Sequence, residues 1–179
     1  MRQRSLGLPY PSIARFRGGA LLALVCVALS AGCDSEAAVR MAPGPPNALL
    51  DRWVDMWNSY DLDEVGELFL NDPRLTYFSS EKQGVIRGMA AVVEHHRGFG
   101  FVPGGDPKGT RLWLEDLTTD LRGDMAVVTG LWFFAAAGDT TGEPQKGPVT
   151  FVAVWDSGAW KFMHMNFSEY LPEELLQPS

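Results

Sequence analysis

The sequence predicts an α+β domain. Apolar residues fall at helical spacing in stretches between Asn47 and Phe99, a period of two takes over from Thr110, and no internal repeat or second linker interrupts the chain after Pro46. Helices first and an antiparallel meander afterwards is the order expected of that class.

The first helix starts at Asn47, a candidate N-cap. Leu49, Leu50, Trp53, Val54 and Trp57 share one face, and Asp51, Arg52, Asp55 and Asn58 the other. Tyr60-Asp61 ends it. Asp61 and Glu64 have the spacing of a capping box for a second helix running through Leu70, with Leu62, Val65, Leu68 and Phe69 as its apolar side. Asn71-Asp72-Pro73 stops that helix. Short strands are expected at 74–79 and 84–88, a third helix at 89–99, and a glycine- and proline-rich loop before Thr110. Four long strands follow at about 110–120, 123–136, 147–156 and 159–169. Gly123-Asp124 and Ser157-Gly158 supply hairpin-turn chemistry between them.

The start of the chain reads differently. Arg2, Arg4, Arg15 and Arg17 precede an apolar run from Ala20 to Ser30, and no acid occurs before Asp34. That is the layout of a secretory signal, and the run is too short for a permanent membrane span. Leu29-Ser30-Ala31-Gly32-Cys33 resembles a bacterial lipobox, with Ser30 where many have leucine. The resemblance implies a signal peptide over 1–32 and a lipid on Cys33. It also implies export and anchoring on the extracytoplasmic side of a bacterial membrane. Asp34 resembles an inner-membrane retention signal, a rule that depends on the organism. Residues 33–46 read as a flexible tether, 47–172 as the folded domain and 173–179 as a tail.

Beyond Cys33 lie all 22 acids and 11 of the 15 bases, a net charge of about −11. Such a balance argues against nucleic acid or an anionic lipid surface as the main partner. Cys26 falls within the signal, so Cys33 is the only thiol of the processed chain and no internal disulfide can form. The domain must stand on its core, for which roughly 130 residues with six Trp and ten Phe in the chain suffice.

Three short motifs carry a family resemblance. Asn58-Ser-Tyr-Asp-Leu-Asp-Glu-Val-Gly-Glu-Leu-Phe69 is similar to the junction of helices one and two in the nuclear transport factor 2-like superfamily. Arg87-Gly88-Met89-Ala90 is similar to its entry to helix three, and Trp160 to Ser168 resembles the last strand of its SnoaL-like branch. Over residues 47–170 the resemblance implies a curved antiparallel sheet wrapped around the N-terminal helices, a cystatin-like cone with an internal cavity. Its members include isomerases, dehydratases, hydrolases, cyclases and proteins without chemistry, so fold does not fix function.

Against that frame a ketosteroid-isomerase-like site is not expected. Such a site needs an aspartate base and tyrosine and protonated-aspartate donors, and the matching positions hold Trp53 and Tyr77. Strict alternation puts Trp160, Phe162, His164, Asn166 and Ser168 on one strand face, which the resemblance turns into the cone. His164 is therefore the candidate base or polar anchor; the structural alternative is a histidine bonded to a neighbour in a half-buried strand. His95 and His96 point about 100° apart on their helix, so they cannot easily share an ion. One is expected in solvent and one at the cavity mouth. No zinc, calcium or phosphate-loop spacing survives inspection, so neither metal nor cofactor is expected.

Trp57, Tyr60, Tyr77, Phe78, Trp132 and Phe134 are candidates to line an apolar pocket, with Phe162, His164 and Asn166 as further contacts. In Leu131-Trp132-Phe133-Phe134 both strand faces are apolar, which suggests a homodimer through the outer sheet face. The alternative is a central strand with something packed outside it.

Two functions follow. One is a membrane-tethered domain that binds a small apolar molecule or a protein partner without chemistry. The other is a cofactor-independent lyase, isomerase or hydrolase acting on a hydrophobic carbonyl or polyketide-like compound. His164 would be its base and Asn166 or Tyr77 its donor.

Overall fold

The computed structural model describes residues 44–138 and 142–170. The expected signal peptide, Cys33, the tether up to residue 43 and the tail at 173–179 lie outside the described residues. Helices α1 (Asn47–Ser59), α2 (Leu62–Leu68) and α3 (Gly88–Gly98) pack on one face of a curved sheet. Its strands are β1 (Thr76–Ser79), β2 (Lys82–Arg87), β3 (Arg111–Arg122), β4 (Met125–Ala135), β5 (Gln145–Asp156) and β6 (Ala159–Phe167). Their order is β2-β1-β6-β5-β4-β3, antiparallel throughout except where β1 runs parallel to β6. Among the described residues no helix is long and apolar enough to cross a membrane.

Local chemistry sets the helix boundaries. Pro46, not Asn47, precedes α1, and its carbonyl accepts from the N–H groups of Leu49 and Leu50. Tyr60 ends α1 in a left-handed conformation at φ 57°. The Asp61 side chain caps α2 by accepting from Asp63 N. Glu64 does not complete the capping box; its carboxylate is taken by Arg52 at 2.6 Å. Asn58, expected on the solvent face, instead clamps α1 to β3. Its side-chain amide donates to Leu112 O at 3.1 Å, and its carbonyl oxygen accepts from Leu112 N at 2.7 Å.

Trp53 is the centre of the core. It is fully buried and makes edge contacts with Phe151 at 5.1 Å and Phe167 at 5.9 Å, which fixes α1 across the inner face of β5 and β6. Truncating such a side chain to alanine costs about 3–5 kcal/mol.

Two bulges in the long strands bend the sheet. In β3, Glu115 faces Leu131 and Thr118 faces Thr129, so one extra residue is accommodated, with Asp116 at φ 53°. Gly130 lies beneath; a Cβ there would meet Leu117 Cδ2 at 2.6 Å. In β6, Phe162 faces Ala153 and His164 faces Val152, leaving Met163 as the extra residue. A bulge increases local twist and reverses the alternation beyond it. Consequently Phe162, Met165 and Phe167 are buried, whereas His164 is half-buried and Asn166 exposed.

Candidate functional site

A cavity of about 280 Å³ opens at one end of the domain, between the end of α1 and the sheet. Trp57 and Tyr60 come from the last turn of α1 and its cap, and Phe99 from the cap of α3. Leu112, Trp132, Phe134 and Phe167 rise from the inner face of β3, β4 and β6. Ser79 at the end of β1, Ser80 and Glu81 on the β1–β2 turn, and Gln145 complete the lining.

The aromatic wall is tightly braced. Trp132 stacks on Phe167 with ring centres 4.3 Å apart, and its Nε1 donates to Ser168 O at 2.5 Å. Gly147 faces Trp132 across the β4–β5 pair. A Cβ on Gly147 would lie 1.9 Å from Ser168 O, so only glycine lets the chain after β6 cross here and reach Trp132. Trp57 lies parallel to Phe167 at 6.2 Å and makes edge contacts with Phe99 and Phe101. The Tyr60 hydroxyl lies 3.0 Å from Thr110 Oγ1, so it is already partnered.

The named site residues divide into three groups. Trp57, Tyr60 and Trp132 line the cavity together with Phe134. Tyr77 and Phe162 are buried core instead: Tyr77 packs on Phe69, His95 and His96, and Phe162 on Phe69 and Phe151. Burial pushes the Tyr77 phenol upward, away from ionisation. His164 and Asn166 lie on the outer face, away from the helices. His164 Nδ1 is 2.8 Å from Thr76 Oγ1, and its ring meets Phe78, which is 41% exposed. Thr76 pairs with His164 and Phe78 with Asn166, while buried Tyr77 pairs with buried Met165. The expectation that His164 looks into the cone is thereby overturned, and Phe78 leaves the pocket with it. The cause is the extra residue at Met163, which shifts the parity of the strand's second half.

The histidine inside the domain is His96. It is fully buried among Trp57, Phe69, Tyr77 and Phe101, not at the cavity mouth. Its Nδ1 lies 2.8 Å from Val92 O. A carbonyl oxygen only accepts, so Nδ1 carries the hydrogen and Nε2 is the bare acceptor. Burial lowers its pKa to about 4. Neither Nε2 of His96 nor Nε1 of Trp57 has a partner among the described residues. His95, expected in solvent or at the mouth, is half-buried against Tyr77 and Phe99. Its pKa is lowered by burial first and then by the Lys82 charge.

The sequence reading leaves out Phe99, Leu112, Phe167 and the turn Ser79-Ser80-Glu81. Leu112 pairs directly with Phe134, so strand register alone could have found it. Phe167 falls on the hidden side of the bulge, and its position carries no local signal. Among the described residues no cluster of three or more His, Cys, Asp or Glu side chains could hold a metal ion. What converges here is aromatic surface with a polar rim.

No curated protein matches the chain by sequence. Solved structures match it in fold. A nuclear transport factor 2-like superfamily protein from Salmonella enterica superposes with a TM-score of 0.57 at 17% identity, covering 74% of this chain and 93% of that one. A nuclear transport factor 2-like protein from Pseudomonas putida gives 0.60 at 19% identity, over 74% and 89%. A protein with a cystatin-like fold from Caulobacter vibrioides gives 0.56 at 17%, over 73% and 90%. At such identities the likeness speaks for fold alone. The family profile of the SnoaL-like domain matches residues 47–172. The chain therefore belongs to the SnoaL-like domain family, and its fold is that of nuclear transport factor 2-like proteins.

Proposed function

We propose that this domain binds a small, largely apolar molecule in the cavity between α1 and the sheet. The observation that carries the reading is the lining itself. Six aromatic side chains and Leu112 surround a space of about 280 Å³, with polar groups confined to Tyr60, Ser79, Ser80, Glu81 and Gln145. That is the apolar, concave construction of a ligand pocket, at the small end of the usual range. His164, the proposed base of the enzymatic reading, faces the other way, so no role in this cavity is given to it. Titrating Trp fluorescence with a neutral hydrocarbon such as neopentylbenzene tests the reading. Saturable quenching that disappears in Phe134→Trp, which fills the space, is the expected result; quenching unchanged by that substitution sinks it.

A second copy of the chain is the proposed protein partner. The face of the sheet away from the helices carries Trp113 stacked on Phe133 at 5.2 Å, beside half-buried Leu131, Val127 and Val152. Apolar residues on a sheet face that no helix covers, although the Thr129–Thr150 pair separates Val127 and Val152 from Leu131, support an interface between copies. The lipid on Cys33 would hold the domain at the extracytoplasmic surface of a membrane through the 33–46 tether, a reading that rests on the sequence of residues 20–34.

A further inference from the structure

The cavity is charged on one side only. Among the residues that line it, Glu81 alone carries a formal charge, and none is lysine, arginine or histidine. Glu81 is exposed on the β1–β2 turn beside Ser79 and Ser80, and among the described residues its carboxylate makes no ion pair. An ionic partner is therefore left for it at the rim.

The rest of the lining suits the same partner. Aromatic faces carry partial negative charge, and a cation over Trp or Tyr is attracted by it. The chain already makes this contact at the cavity's edge: Lys108 Nζ lies 5.8 Å from the Tyr60 ring centre. That ammonium is matched by Asp106 at 2.5 Å and does not line the cavity, so it adds little repulsion there. His95, whose ring lies 5.0 Å from that of Phe99, has its pKa lowered by burial and then by the Lys82 charge, which disfavours its imidazolium. Over longer range, the excess of acids beyond Cys33 draws cations and repels anions.

We infer that the cavity takes a hydrophobic organic cation, a protonated amine or quaternary ammonium with an apolar body. The body lies among Trp57, Trp132 and Phe167 and the ammonium against Glu81. The inference rests on the ligand-binding reading of the same cavity and names the class of ligand.

The test uses the full chain and three probes of similar bulk: benzyltrimethylammonium, its uncharged isostere neopentylbenzene, and the anion 4-tert-butylbenzoate. Benzyltrimethylammonium binds saturably, and raising the salt weakens it. Glu81→Gln weakens it by about 3- to 10-fold, leaves neopentylbenzene unchanged and does not weaken the anion. Glu81 is exposed, so the variant folds. If neopentylbenzene binds and the ammonium does not, or if Glu81→Gln leaves the ammonium unaffected, the cation inference falls and the apolar cavity stands. If none of the three binds, both fall together.

Discussion

Thr76 Oγ1 lies 2.8 Å from His164 Nδ1, across the parallel β1–β6 pair and on the face of the sheet that the helices do not cover. The contact removes the only strand histidine from the cavity and gives it a structural task. His164→Ala should leave ligand affinity within about 2-fold and lower stability by about 1 kcal/mol, the net value of one hydrogen bond. Fluorescence titration and urea unfolding measure the two. A tenfold loss of affinity at unchanged stability would return His164 to the site.

Gly147 makes a sharper demand. The backbone of Ser168 and Glu169 crosses directly over it, held by Ser168 N bonding to Pro148 O and Tyr170 N to Lys146 O. Gly147→Ala must push that segment away and break the Trp132–Ser168 bond. A loss of about 1–3 kcal/mol is expected on urea unfolding, together with weaker ligand binding because Trp132 loses its anchor. An alanine variant as stable as the parent would mean that the crossing moves freely.

Much of the fold is legible in the sequence because its signals are local. The apolar stripe with Trp53 and Trp57 gives α1, the Asp61 side chain gives the α2 cap, and Ser157-Gly158 gives a hairpin turn with both φ angles positive. What escapes is decided by partners far along the chain. Asn58 reads as a surface residue until Leu112, 54 residues on, offers its backbone. Glu64 has the right spacing for a capping box, but Arg52 offers a charge-assisted bond that outcompetes it. The bulge at Met163 decided the site. Leu70 N donates to Phe162 O just before it and β1 pairs with β6 just after it, so β6 meets two different neighbours. Period-two reasoning has no access to that change, and it placed His164 inside and Phe167 outside.

His96 links the core to pH. Its folded pKa is about 4 because burial disfavours the imidazolium, whereas an unfolded chain gives about 6.5. Between those values the unfolded state binds more protons. Stability is therefore complete above pH 6.5 and lost as pH falls toward 4, by on the order of 3 kcal/mol. His95 and His164 are lowered too, chiefly by burial, and act in the same direction. His96→Phe keeps an aromatic ring among Trp57, Phe69 and Phe101 and should flatten most of that dependence. Thermal unfolding at a series of pH values decides it; an equally steep fall in the variant would assign the loss to other groups.

Cys33 is the expected lipid site, and its test is independent of the fold. Expressed in a bacterium, the chain should sediment with membranes, and Cys33→Ser should release it to the soluble fraction. The domain between 47 and 172 should unfold identically in both. A parent chain that already fractionates as soluble would remove the anchor.

Phe133 tests the proposed pairing of two copies. It stacks on Trp113 at an interplanar angle of 12° on the outer face, with Arg111 over the same indole at 4.8 Å. Leu131 follows it along the same face of β4, with Val127 and Val152 beyond the Thr129–Thr150 pair. Exposing this patch in a monomer forgoes roughly 25 cal/mol for each Å² of apolar surface. Phe133→Glu puts a carboxylate opposite Lys146, its partner across β4–β5, and pairing two copies would take the new charges of both out of water. Sedimentation analysis should show a dimer for the parent and a monomer for the variant, with the cavity still binding its ligand. Phe133→Leu, which keeps the apolar character, should remain a dimer. A parent chain that sediments as a monomer at micromolar concentration leaves this face to a different covering.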